Sequence, residues 1–133
     1  MKIYKFEKLV KEAIGEIAIH LTTEDAKRKI LESGSFIPSN SGWYGKGLYA
    51  HLSGTGKEGK GNAKVGFSYE MLKLNDGGKP EELSQQQWDK IRNKSVEQID
   101  NTLYQLGYDG EMYGTTVRVF PQSIEKLIPI DIT

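Results

Sequence analysis

Apolar residues recur along this chain at two spacings, and the switches between them predict its elements. Ile3, Phe6, Leu9, Val10 and Ala13 fall at helical intervals, so residues 3–14 predict an amphipathic opening helix ending near Gly15. The run Ile17-Ala18-Ile19 predicts a first strand over 16–21, with His20 at its end. Thr22 or Thr23 is the N-cap of the next helix, and Glu24 and Asp25 occupy the first turn, where the helix dipole favours acids. Ala26, Ile30 and Leu31 form its buried stripe, and Gly34 supplies a left-handed cap.

Beyond Phe36-Ile37-Pro38, residues Ser39 to Gly42 carry turn chemistry, and Gly47 to Leu52 predicts a strand. The glycine-rich run 53–61 reads as a flexible loop. Val65, Phe67, Tyr69 and Met71 alternate, which predicts a strand with one buried face. Residues 75–80 form a turn. Ser84 with Gln87 and Ser95 with Gln98 make two capping boxes, so two helices are expected, about 84–93 and 95–106. Trp88 and Ile91 are expected to bury the first. Val96, Ile99, Leu103 and Leu106 are expected to bury the second, which Gly107 ends. Asp100 and the Glu81-Glu82 pair read as solvent-facing helix positions. Val117, Val119 and, after a turn at Pro121, Leu127, Ile128 and Ile130 supply the last strands. Strands and helices mix without a βαβ repeat, so the pattern is α+β, in one domain over residues 1–133.

Composition narrows the function classes. Lys+Arg and Asp+Glu both number 18, so the formal net charge is zero and no general nucleic-acid or anionic-membrane binding is expected. With no cysteine, disulfides, thiolate nucleophiles and Cys-ligated metals are excluded. No apolar run approaches the ~20 residues of a membrane span, and the charged stretch Met1 to Glu7 is no signal peptide, so a cytoplasmic location is expected. Two histidines, His20 and His51, are too few for a metal site or a Ser-His-Asp triad, so no metal is expected.

Gly54-x-Gly56-x-x-Gly59 matches a dinucleotide fingerprint, but no helix opens at its third glycine to receive a pyrophosphate. As a P-loop it fails because Gly61 stands where Ser or Thr must hold magnesium. The more informative stretch is 16–51. It carries His20 and Tyr49 on two strands with Gly45 and Gly47 between them, a plausible cradle for a planar, phosphate-bearing ligand. Taken alone, His20 is more often a structural histidine bonded to a carbonyl, and Tyr49 more often plain core.

His20-Leu21-Thr22, the helix to Gly34 and Tyr44-Gly45-Lys46-Gly47-Leu48-Tyr49 together resemble the NAD-binding half of ADP-ribosyltransferases. The branch is the His-Tyr-Glu one, shared by diphtheria toxin, the poly(ADP-ribose) polymerases and several bacterial toxin and phage domains. The tail Gly107-Tyr108-Asp109-Gly110, Val117-Arg118-Val119-Phe120 and Ile124 is similar to the end of the small phage and toxin members. The resemblance implies split mixed and antiparallel sheets with flanking helices. It implies that His20 bonds the adenosine ribose of NAD, that the Leu21 and Thr22 backbone holds the nicotinamide amide, and that Tyr49 stacks on nicotinamide. Tyr44 is a second stacking candidate. His51 is a weaker third or an exposed strand residue, and Trp43 is an adenine lid or a loop anchor. Gly45 and Gly47 would admit close backbone approach.

The family's Glu position, just before the V-x-V-F strand, falls on Thr116, which can hydrogen-bond a ribose but cannot offset a developing cation. Either Glu111 serves as the catalytic carboxylate from the preceding segment, or none does; Asp109, a turn Asp before Gly, reads as structural. The implied activity is mono-ADP-ribosylation, with NAD as substrate and a macromolecular acceptor, expected to be a protein, as partner. The alternative is a catalytically impaired domain of the same fold that works by binding. An RNA 2′-phosphotransferase ranks below both, because the basic residues it needs are few.

Overall fold

The computed structural model describes residues 2–4, 16–37, 45–52 and 61–132. It is α+β, a mixed sheet with flanking helices. The strands are β1 (Lys2–Tyr4), β2 (Ile17–Thr22), β3 (Leu48–His51), β4 (Ala63–Ser68), β5 (Leu74–Asn75), β6 (Gly110–Tyr113), β7 (Thr116–Val119) and β8 (Ile130–Ile132). The helices are α1 (Glu24–Ser33), α2 (Gln85–Ile91) and α3 (Val96–Gln105), with a 3-10 helix at Pro121–Lys126.

Strand order is β1-β8-β4-β2-β3-β7-β6-β5. The pairs β1–β8 and β5–β6 run parallel and the others antiparallel. The pairing is uneven. β2 and β4 match over six positions, Ile17↔Ser68 to Thr22↔Ala63, and β3 and β7 over four. Between β2 and β3 the register is the single pair Ile19↔His51. The described strands thus form one continuous sheet joined at a narrow seam.

Alternation sorts the side chains. Ala18, Leu48, Ala50, Val65, Phe67, Val117 and Val119 line one face and pack with Ile30 of α1, Phe36, Ile124 and Leu127. Ile17, Ile19, Ile130 and Ile132 cluster on the other face. Leu103 of α3 closes a third cluster with Tyr108 and Phe120. Thr23 is the N-cap of α1, its hydroxyl accepting from the Ala26 amide, and Gly34 ends the helix with φ 75°. Both capping boxes are present, Ser84 with Gln87 and Ser95 with Gln98.

Several expectations are corrected. Lys2–Tyr4 is strand, because parallel pairing with Ile130–Ile132 overrides the helical spacing of Ile3; residues 5–14 of the expected helix lie outside the described residues. β4 stops at Ser68: Tyr69 follows it, its hydroxyl bonded to Glu16, and Met71 is exposed in a turn. α2 buries none of its residues, and its Trp88 and Ile91 are only half-covered. On α3 Leu103 is buried with Ile99 and Leu106 packed beside it as expected, but Val96 is exposed and Asp100 is buried. Glu82 lies ahead of α2, not on it, and accepts from Lys73 at 2.6 Å and the Tyr108 hydroxyl at 2.6 Å. Ile128 is exposed between the 3-10 helix and β8. The expected turn 39–42 and loop 53–60 lie outside the described residues.

Asp109 is structural, as its place before Gly110 suggested. It is buried and accepts from the Lys73 amide (3.0 Å), the Ser123 hydroxyl (2.8 Å) and the Lys126 ammonium (2.7 Å), tying β6 to the 3-10 helix. Burial alone would raise its pKa. Hydrogen bonds from Lys126, the Lys73 amide and Ser123 more than offset that and hold the carboxyl below its ordinary value. A depressed folded pKa contributes stability that is present above the unfolded value, about 3.9, and is lost as pH falls through the folded one. Thermal melts across pH should therefore show an acid limb below about pH 4, and Asp109→Asn should flatten it while costing about 1–3 kcal/mol at neutral pH.

Candidate functional site

Of the residues singled out by the sequence, His20, Leu21 and Thr22 lie on β2 at the seam with β3. Past Ile19 the β3-facing edge of β2 has no strand partner among the described residues, while its other edge stays paired to β4 through Thr22. His20 stands at this opening. Its Nδ1–H donates to the Tyr49 carbonyl at 2.7 Å, and because a carbonyl only accepts, Nδ1 carries the proton. Desolvation by burial lowers the His20 pKa, and the bond to Tyr49 only partly opposes this. The ring is thus neutral near pH 7, and Nε2 is left as an acceptor. Phe36 meets the imidazole edge-on at 5.8 Å and Phe67 meets Phe36 edge-on in turn at 5.5 Å, so the ring's plane is fixed by the core.

Tyr49 is joined to His20 through its backbone, not its ring. The register puts His20 on the face of Ala18 and Val65, and Tyr49 on the opposite face with Arg118 and His51. The two rings therefore do not line one side of a shared cradle, because neighbouring strands in register alternate their faces. The phenol is buried, and its hydroxyl donates to the Gly45 carbonyl at 2.6 Å. That bond holds the Gly45–Gly47 segment against β3. Gly47 has φ 142°, and a Cβ there would collide with the Val119 carbonyl oxygen, so this position needs glycine. Leu21 is half-exposed and Thr22 buried, both beyond Ile19, where β2 has no register partner in β3. Tyr44 and Trp43 lie outside the described residues.

The two carboxylate candidates stand away from the seam. Glu111 is buried on β6, accepting from Arg118 Nη2 at 3.1 Å, the Tyr113 hydroxyl at 2.7 Å and Asn75 Nδ2 at 3.4 Å. β3 and β7 lie between β6 and β2, which places Glu111 roughly 14 Å from the His20 strand at ordinary strand spacing, on the opposite face. Asp109 is engaged as described above. Thr116 is half-buried beside His51, its Oγ1 3.4 Å from His51 Nδ1.

Three features went unread in the sequence. His51 is buried, not solvent-exposed, and its Nε2 finds no hydrogen-bond partner among the described residues. Asp100 is buried, not solvent-facing, and forms a two-pronged ion pair with Arg118, both N–O distances 2.8 Å. Arg118 itself is fully buried in the middle of β7. The available signal was the lone cation in Val117-Arg118-Val119-Phe120: a charge in a core strand requires a buried counter-charge. Burial alone would lower the Arg118 pKa, but Asp100 and then Tyr113 more than offset it and hold it above the usual value. Among the described residues no group of three His, Cys, Asp or Glu could hold a metal.

An orphaned buried nitrogen lowers stability, whereas an apolar side chain of similar size does not carry that penalty. His51→Leu should accordingly leave the melting temperature unchanged or raise it, by up to about 2 kcal/mol in stability. A loss above about 3 kcal/mol would show that Nε2 is hydrogen-bonded in solution.

The chain matches no family model, no curated protein and no solved structure.

Proposed function

We propose that the chain binds NAD along the β2–β3 seam and transfers its ADP-ribose to a macromolecular acceptor, a protein, as a mono-ADP-ribosyltransferase. The observation that carries this reading is the opening past Ile19, where a strand edge without a partner among the described residues adjoins the acceptor nitrogen of His20. A neutral imidazole whose Nδ1–H is already committed offers one lone pair, which suits a ribose hydroxyl. Beyond Ile19, whichever of Leu21 and Thr22 faces this edge offers one N–H and one C=O, the donor and acceptor that a carboxamide needs. Across the seam the backbone entering β3 at Gly45–Gly47 forms the other wall, the Cβ side of both glycines being filled by Val96, Arg118 and the Val119 carbonyl. Tyr49 lies behind that wall, on the face away from His20, and holds Gly45 by its hydroxyl. In this reading the order His20, Gly45, Gly47, Tyr49 reflects an ADP-ribosyltransferase-like arrangement.

A second reading is favoured by one observation: Glu111 is taken up by Arg118 and Tyr113, and Thr116 occupies the place expected of a carboxylate. A domain of this kind would bind NAD or an ADP-ribose-bearing partner without efficient turnover, since losing a charge-stabilising group costs about 3 kcal/mol of barrier lowering.

Among the described residues no helix is long and apolar enough to cross a membrane. The test of both readings begins with titration of NAD to millimolar levels, followed by melting temperature and tryptophan fluorescence. NAD should stabilise the protein, and His20→Ala should weaken binding at least roughly tenfold, the loss of one hydrogen bond to a buried acceptor. No response of the unmodified protein would remove the NAD reading. Given binding, nicotinamide release distinguishes the two: release that increases with an added protein acceptor supports the transferase, and binding without release supports the second reading.

A further inference from the structure

Arg118 has two carboxylates within reach, yet it directs one N–H elsewhere. Its Nη1 donates to Asp100 at 2.8 Å and also to the main-chain carbonyl of Lys46 at 2.9 Å, a residue 72 positions earlier. Nη2 donates to Asp100 at 2.8 Å, Glu111 at 3.1 Å and the Tyr113 hydroxyl at 3.4 Å. The preceding carbonyl, that of Gly45, is taken by the Tyr49 hydroxyl at 2.6 Å. Tyr49 and Arg118 are register partners on β3 and β7. Two facing side chains on one side of the sheet therefore hold two consecutive carbonyls of a single loop segment.

The segment has little room to move. A Cβ built on Gly45 would lie 2.7 Å from Val96 Cγ1 and 3.3 Å from Arg118 Nη1, so the backbone is pressed between α3 and the guanidinium. Asp100, on the same helix, anchors that guanidinium in turn. Glu111 and Tyr113 hold its other edge from β6. The position of the Gly45–Gly47 backbone is thus set by α3, β3, β6 and β7 together.

We propose that Arg118 is a positioning residue for ligand binding: with Tyr49 it fixes the Gly45 and Lys46 carbonyls, so that this segment meets its ligand already in the bound conformation. The proposal rests on the NAD reading above for the identity of the ligand. A wall that is ordered in advance spares the ligand the entropy of ordering it, so the clamp acts on affinity and not on the chemical step.

The experiment compares Arg118→Lys, which keeps the charge for Asp100 and Glu111 but loses the planar fork, with Tyr49→Phe, which frees the Gly45 carbonyl without disturbing any charge. Ile130→Val, in β8 on the far side of the seam, serves as a control for general destabilisation. Arg118→Lys should weaken NAD binding by roughly tenfold and speed amide hydrogen exchange at residues 45–47. If nicotinamide release is measurable, KM should rise with kcat little changed. Ile130→Val should lower the melting temperature without either effect. Wild-type NAD affinity and unchanged exchange in Arg118→Lys would overturn the proposal. Should that variant fail to fold, Tyr49→Phe decides the matter through the same two readouts. If the unmodified protein binds no NAD, the NAD reading fails alone: faster exchange in the variants still supports the clamp, and unchanged exchange overturns it.

Discussion

One imidazole-to-carbonyl hydrogen bond spans the place where the sheet is weakest. β2 with β4, β8 and β1 forms one well-paired half, and β3 with β7, β6 and β5 the other. Their backbone junction is Ile19↔His51, and just beyond it His20 reaches across to Tyr49. A strand edge left without a described partner, next to a fixed polar ring, would be a liability in a purely structural sheet, because unpaired main-chain groups away from water are costly. The core nevertheless supports that ring from behind with Phe36 and Phe67. Where strand pairing between β2 and β3 stops, the junction is thus carried by a side chain that core packing holds in place.

The second half of the sheet is organised around a different compromise. Placing a guanidinium where water cannot reach is expensive, and the outlay is recovered only when nearly all of its N–H groups find acceptors. Asp100, Glu111, Tyr113 and the Lys46 carbonyl take up its Nη1 and Nη2 groups, from α3, β6 and the segment leading into β3, while Nε–H finds no partner among the described residues. The arrangement has a chemical corollary. Glu111 is committed to a neighbouring charge, so no described carboxylate at the seam is available to meet a developing cation.

Local signals in the sequence were reliable where a single side chain sets the backbone. The Thr23 cap, the Gly34 stop and both Ser–Gln boxes were legible because each is decided within four residues. The α+β character followed from the same periodicities. What could not be read was decided at a distance. Lys2–Tyr4 is strand because β8 lies beside it, and Asp100 is buried because Arg118 lies beneath α3. His20 was visible as a strand-end histidine, but its tautomer depends on a carbonyl 29 residues away. The faces of Tyr49 and His20 depended on a register that a one-residue slip would have reversed.

The strand order also governs when the molecule can become itself. β4 is completed on one side only when β8 arrives, and β1 meets its described partner at the same moment, although Lys2 and Ile130 stand at opposite ends of the described chain. The β6–β7 hairpin closes over a much shorter sequence separation. Loop closure of long segments is slow relative to local pairing, so the β6–β7 hairpin precedes the arrival of β8. During synthesis β2 must wait with an uncovered neighbour until nearly the whole described chain has left the ribosome. In that interval its Ile-rich face is the surface most in need of chaperone protection.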